Sequence, residues 1–303
     1  MKFRKLEERF FKFCTYASVS IVIIVLIIIL GSIAYQGIPA ISIEFLMSEE
    51  AGRLGADGMP VLGGAIANAI VGTFLLCVLS ISIATPIGVG TALYLQRYAK
   101  NKGFANFLTF IIEVLSGIPS IVLGVIGFFI FVLLLKYITG GYSLLSGSLA
   151  LAILVLPTIV RATEEAIKTV PRDLEDASYA LGATKWQTLK LITIPYALTG
   201  IMTGIVLSVG RAAEESAVVV FTAGYTQFLP AFKVVRDSKT IFGLRFYPFQ
   251  DLVATLPISV YHSYEFPTFF PQSEGFAAAF ILILIVIFIN CSTRLILWSR
   301  KLK

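Results

Sequence analysis

The chain alternates long apolar runs with short polar connections, and the runs have the length of membrane helices rather than of strands. A bilayer core about 30 Å thick needs roughly 20 apolar residues in helical form. Six runs meet that length, at residues 17–35, 65–95, 104–135, 142–162, 196–223 and 275–298. The third is interrupted by Ser116-Gly117-Ile118-Pro119-Ser120. Proline removes a backbone donor and clashes with the preceding turn, so a kink or a broken helix is expected there. The first run follows Lys2, Arg4, Lys5 and Arg9 as a secretory leader would. Its apolar stretch exceeds the roughly 7–15 residues of a leader, so it reads as a retained anchor.

The polar connections orient these spans, because Lys and Arg accumulate on the cytoplasmic side. Lys2, Arg4, Lys5, Arg9 and Lys12 precede the first span, Arg97, Lys100 and Lys102 follow the second, and Arg300, Lys301 and Lys303 end the chain. In a six-span arrangement all three groups fall on one side. The opposite connection, 36–64, holds only Arg53 against Glu44, Glu49, Glu50 and Asp57. Both termini are thus expected in the cytoplasm. Two longer connections remain: a cytoplasmic, helix-patterned segment at 163–195 and an external, proline-bearing and aromatic one at 225–274 with room for a short helix or two. The division is an anchor helix with its external loop at 1–64 and a transmembrane domain at 65–298.

Composition agrees with an all-α polytopic membrane protein. Of 303 residues, 57% are hydrophobic and only 14% charged, against roughly 25% charged in soluble domains. Mean hydropathy is +0.88. Disorder, fibrous repeats and most soluble enzymes are excluded. The net charge of +6 is explained by positive-inside topology, and nucleic acid is not an expected partner. Three widely separated cysteines without a C-x-x-C pattern argue against a disulfide framework or metal site. His262 is the single histidine and reads as a surface-loop residue. Trp186 and Trp298 read as interfacial anchors.

The segment 163–195 carries the most specific pattern. Pro171 suits a first helical turn. Leu174, Ala177 and Leu181 recur at i, i+3 and i+7 as one apolar stripe. Gly182 suits the residue that ends a helix, and Thr184-x-x-Gln187 is a capping box that opens another. Pro195 closes the segment as the fifth span begins. The residues predict a short helix, a glycine elbow and a second short helix.

Glu175-x-Ala177, Gly182 and Ile192-x-Ile194-Pro195 resemble the EAA motif of ABC transporter permeases, with Asp176 replacing the first Ala and Ile194 a Leu. The likeness runs from about residue 63 to 297. It narrows to phosphate-specific importers, and to their A-type permease, through 117–124, 156–171, 180–188 and 211–217 followed by Phe221-Thr222-Ala223. Glu214-Glu215-Ser216 departs from the Gly-Glu-Thr usual in that family. The resemblance implies a type I ABC importer permease in a bacterial or archaeal inner or plasma membrane. Glu175, Ala177, Gly182 and Pro195 would belong to the coupling segment, whose short helix docks in a groove of the ATPase subunit. Implied partners are two ATPase copies, a second related permease and an external phosphate-binding protein, besides membrane lipid. No G-x-x-x-x-G-K-S/T sequence occurs, so no cofactor is expected on this chain, and ATP and Mg would sit on the partner ATPase.

Charges inside the spans are the candidate substrate path. Arg211, Glu214 and Glu215 lie in the fifth run, where a charge costs at least roughly 2.5–3.5 kcal/mol at mid-bilayer. Arg211 borders a stripe of small residues, Gly200, Gly204, Ser208 and Ala212, that suits close helix contact and would turn Arg211 towards protein. Two readings are open: Arg211 meets phosphate as a forked cation, or it neutralises Glu215 at i+4. Glu214 could also pair with the second permease. Arg161, at the end of the fourth span, is either a snorkelling helix-end cation or, by the resemblance, a second path residue. Glu113 either pairs with Arg161 or shapes the break at Pro119. The rival functions are import of another oxyanion, sulfate or molybdate, and secondary transport.

Overall fold

The computed structural model describes residues 2–47, 53–54, 60–61, 65–237, 244–267 and 271–301. Glu49, Glu50, Asp57 and Lys303, with the Trp298 side chain, lie outside that description. In chain order the elements are α1 (Lys2–Gly37), α2 (Ile43–Met47), β1 (Arg53–Leu54), β2 (Pro60–Val61), α3 (Ala67–Leu93), α4 (Lys102–Gly117), α5 (Ser120–Gly127), α6 (Lys136–Thr139), α7 (Leu144–Lys168), α8 (Arg172–Ala180), α9 (Lys185–Thr188), α10 (Ile194–Glu214), α11 (Ala217–Thr222), β3 (Val234–Arg236), β4 (Leu244–Phe246), α12 (Leu256–Glu265) and α13 (Gln272–Lys301). Three wide π turns, Tyr94–Tyr98, Phe128–Leu134 and Leu189–Thr193, continue α3 and α5 and lead into α10.

Among the described residues five helical stretches are long and apolar enough to cross a membrane, and a sixth if α4 and α5 count together. That pair is bent by 107°. Ile118 and Pro119 are extended, at φ −74°, ψ 129° and φ −59°, ψ 139°, because the residue before a proline is driven out of the helical region. The Pro119 carbonyl then starts α5 by accepting Val122 N and Leu123 N at 3.0 and 3.2 Å. Ile112 of α4 packs with Val160 and Ala166 near one end of α7. The π turn after α5 reaches the other end, where the Phe131 carbonyl accepts Thr139 Oγ1 at 2.7 Å. The pair joins both ends of the bundle, and the third run is broken at Ile118-Pro119.

α7 is the centre of the fold. Leu151, Val155, Ile159, Val160 and Ile167 are fully buried, where α3, α10 and α11 surround the helix. α3 lies along it, and α10 crosses it through small residues. A Cβ on Gly200 would stand 2.5 Å from the Ala166 Cβ, and one on Gly204 closer still to that of Ala162. Ser208 and Ala212 are buried on the same side of α10, so the small-residue stripe is a helix contact. In contrast, the large apolar side chains of α1 from Phe10 to Leu30 are exposed, and among the described residues α1 packs mainly against α13 and the turn behind it.

The long segment after α11 folds over one end of the bundle. Thr73 Oγ1 accepts Leu256 N at 2.9 Å, Asn68 Nδ2 donates to Thr226 O at 2.8 Å, and Leu144 N donates to Asp251 O at 2.8 Å. The sequence led to a short helix here, which is α12. It did not lead to the antiparallel pair β3–β4, with Val235 opposite Arg245. His262, read as a surface-loop residue, is instead on α12 and half-buried, its ring 4.6 Å from that of Tyr225. Burial pushes its imidazole below the ordinary value, opposed by the Glu265 charge.

The α7–α10 contact is testable. Gly204→Leu should destabilise the chain by about 1–3 kcal/mol through overpacking, seen as a lower melting temperature in detergent. Gly204→Ala should be milder, and adding Ala162→Gly should recover most of the loss. An unchanged melt for Gly204→Leu would show that the helices do not approach here.

Candidate functional site

Two groups of residues stand out, one at the α8 end of the bundle and one on an open side of α7.

The segment after α7 forms the predicted elbow. Pro171 caps α8 at φ −60°, ψ 129°. Gly182 turns the chain at φ +83°, a left-handed conformation that costs other residues roughly 1–2 kcal/mol. The capping box of α9 is formed: Thr184 N donates to Gln187 Oε1 at 2.8 Å, and Gln187 N to Thr184 Oγ1 at 3.3 Å. A buried 2.9 Å hydrogen bond between the Ser178 and Thr188 hydroxyls joins the two arms. Pro195 lies in the first turn of α10. The stripe of Leu174, Ala177 and Leu181 points outward, and Leu181 is 90% exposed. Trp186 is exposed beside it.

Glu175 points the other way. It is buried, and its Oε1 accepts Arg97 Nε at 2.9 Å and Thr193 Oγ1 at 2.6 Å. Arg97 Nη2 also donates to the Ile167 carbonyl at 3.3 Å. The sequence singled out Glu175 but neither partner. The partners lie 78 and 18 residues away, and only the fold brings them together.

On the open side of α7, Arg161 reaches Glu113 of α4 at 3.0 Å and Glu164 at 3.1 Å. Of the two readings of Glu113, pairing with Arg161 is the one seen. Arg211 of α10 donates to Thr158 Oγ1 at 3.3 Å. Thr158 and Arg161 are three residues apart, neighbours on one helical face, so both guanidinium groups lie along one strip of α7. The Arg211–Glu215 pair is not formed. α10 ends at Glu214, and Glu215 leaves the helix at φ −77°, ψ 119°. Its carboxylate instead accepts Val218 N at 3.2 Å and opens α11. The i, i+4 spacing therefore has no continuous helix beneath it. Arg211 and Glu214 are exposed, and neither has an ion-pair partner among the described residues. Arg211 was expected to face protein, but in this chain alone its side is open.

Residues 84–297 match the family described as binding-protein-dependent transport system inner membrane component. The probable ABC transporter permease protein YqgI of Bacillus subtilis (strain 168) is 36% identical over 222 residues, 73% of this chain and 71% of that protein. The phosphate transport system permease protein PstA of Haemophilus influenzae is 31% identical over 299 residues, 98% of this chain and 96% of that protein. PstA of Pasteurella multocida is 30% identical over 96% of this chain and 95% of its own length. Among solved structures, the inward-facing MetNI methionine ABC transporter aligns with a TM-score of 0.55 at 18% identity, covering 77% of this chain and 96% of that one. At that identity the likeness concerns fold.

The elbow yields a separate prediction. Nothing stands within 4 Å of a Cβ built on Gly182, so substitution there strains the backbone without a clash. Gly182→Asn should be tolerated, because Asn adopts the left-handed region readily. Gly182→Val should speed amide hydrogen exchange across 178–188. Equal exchange in both variants would remove the conformational requirement.

Proposed function

This chain belongs to the binding-protein-dependent transport system inner membrane component family, and from that premise we propose that it is the A-type permease of an ATP-driven phosphate importer. Its fold is that of a type I ABC importer permease. The observation that carries the substrate is Arg211. A permanently charged fork is held at Thr158 inside a membrane-spanning helix, with no carboxylate on it among the described residues. A lone cation at that depth is costly. An anion carried past it offsets the cost intermittently, and tetrahedral oxyanions match the guanidinium geometry.

Phosphate is favoured over sulfate by the carboxylate three residues on. Phosphate keeps a proton near neutral pH and can donate to Glu214; sulfate has none to give. Arg161 lies along the same strip, but Glu113 and Glu164 already hold it. It forms the end of the path nearer α8. The relatives named PstA, matched over nearly the whole chain, support the same substrate.

Other parts of the chain take their roles from the same reading. The outward stripe of α8 and the elbow at Gly182 are the docking surface for an ATPase subunit, present as two copies that carry ATP and Mg. This chain performs no covalent chemistry. A second related permease closes the strip from the open side, and an external phosphate-binding protein delivers substrate. The α8 end is cytoplasmic, as are both termini, and α12 is external, with the whole in a bacterial or archaeal inner or plasma membrane.

Orientation is tested by impermeant thiol labelling in a background without the three native cysteines. Tyr264→Cys, at a position 82% exposed on α12, should label in intact cells. Lys100→Cys, exposed just after the π turn that ends α3, should label only after permeabilisation. The reverse pattern would invert the topology.

The substrate path is tested by phosphate uptake at matched membrane expression in a strain lacking other phosphate importers. Charge-assisted hydrogen bonds are worth about 1.5–3 kcal/mol, so Arg211→Gln should cost at least about tenfold in rate. Arg211→Lys should keep partial uptake. Because Glu215 is not the partner of Arg211, Arg211→Gln with Glu215→Gln should fail like the single variant. Full uptake by Arg211→Gln would take Arg211 out of the path.

A further inference from the structure

We propose that Arg97 is a positioning residue for the coupling segment: with Thr193 it locks Glu175 inside the protein, so that α8 moves as a rigid extension of α3, α7 and α10. The motif assignment gives Glu175 to the ATPase interface. The geometry gives it to this chain's own interior. This inference rests on the reading of α8 and α9 as the ATPase contact and not on the identity of the substrate.

One carboxylate oxygen and the arginine on it gather four elements. Arg97 reaches it from the π turn that ends α3, at 2.9 Å, and Thr193 from the π turn that leads into α10, at 2.6 Å. The second arm of Arg97 holds the Ile167 carbonyl, in the last turn of α7, at 3.3 Å. Glu175 itself belongs to α8. The Arg97 and Glu175 side chains are 22% and 9% exposed. The Arg161–Glu113 pair, at 45% and 62%, and the Lys168–Glu165 pair, at 53% and 72%, are open to water. Water screens exposed pairs to near nothing, whereas removing one partner of a sheltered pair leaves an uncompensated charge.

The π turns explain why these two side chains meet the carboxylate. Each closes an i→i+5 bond, as Ala99 N to Tyr94 O at 2.9 Å does in the first. The extra residue rotates the succeeding backbone by about 100° relative to a continuing α-helix. Such turns often mark functional positions, and here both carry a partner of Glu175. Without the pin, α8 would be tied to α9 by the Ser178–Thr188 bond but would be linked to α3 and α7 through the bend at 169–171. A push on its outward stripe would then be absorbed locally. With the pin, the push reaches the ends of three membrane helices at once.

The test uses the complete importer in proteoliposomes, the chain carrying spin labels at Lys100→Cys and at Tyr179→Cys, an exposed position of α8 off its outward stripe, in place of its native cysteines. The unsubstituted pair should give one narrow label distance, with and without ATP. Arg97→Met and Glu175→Gln should broaden that distance and reduce transport per ATP hydrolysed about tenfold, while the ATPase still co-purifies within about twofold. Arg97→Lys, which retains the charge, should recover the narrow distance in large part. Glu175→Gln with unchanged distance and coupling would overturn the pin. So would loss of ATPase binding by Glu175→Gln alone, with Arg97→Met binding normally, since Glu175 would then be an ATPase contact. If the unsubstituted importer binds its ATPase but carries no phosphate, the substrate reading fails, and the label distance still decides on the pin.

Discussion

Hydrocarbon offers no water to a polar group, and that constraint organises this structure. Backbone donors and acceptors can close on themselves only in helices, so the chain is helical wherever it spans. Several side-chain hydroxyls inside the spans turn back on their own helix, as Thr73 does to Ala69 O at 2.7 Å and Ser208 to Gly204 O at 2.9 Å. Where a helix must stop within the bundle, the freed groups are answered nearby. Pro119 starts α5 with its own carbonyl, and Glu215 starts α11 with its carboxylate. The interruptions at 118–119 and 215–216 are therefore built turns.

Close packing on α7 decides which side the charges occupy. Gly200 and Gly204 bring α10 against Ala166 and Ala162, and this fixes its rotation. Arg211 then falls beside Thr158, on the side of α7 that also carries Arg161. Larger residues at those glycines would part the helices and move the guanidinium off the strip. A contact that looks purely structural thus sets the chemistry of the open face.

Much of this was legible in the sequence, for identifiable reasons. Span length and number follow from the thickness of a bilayer, and the break at Pro119, the elbow at Gly182 and the Thr184–Gln187 box follow from local backbone rules that need no tertiary context. The size of the 107° bend was not legible, because it depends on what α4 and α5 each pack against. The supposed Arg211–Glu215 pair failed because spacing presumes a continuous helix, and hydropathy alone continues the fifth run to residue 223. The β3–β4 pair was hidden in an aromatic, proline-bearing stretch whose strands have three residues each. Arg97 was counted only as a topological charge, since no local pattern links it to a carboxylate 78 residues away.

On the proposed reading, the two functional groups share their supports. Ile167, held by Arg97, and Thr158, bonded to Arg211, are nine residues apart on α7, or about 14 Å along its axis. Thr193, which holds Glu175, precedes Arg211 by 18 residues on one continuous helical stretch. A helix is stiff over such lengths, so a displacement at α8 is delivered to both walls of the arginine strip with little loss. The walls need not move alike. α7 is buried on nearly every side and is restrained by its neighbours, whereas α10 leaves Met202, Thr203, Leu207 and Arg211 open. The same push therefore shifts Arg211 relative to Thr158 and Arg161, and the 3.3 Å bond between Arg211 and Thr158, the longer and weaker of the contacts on the strip, is the one placed to break.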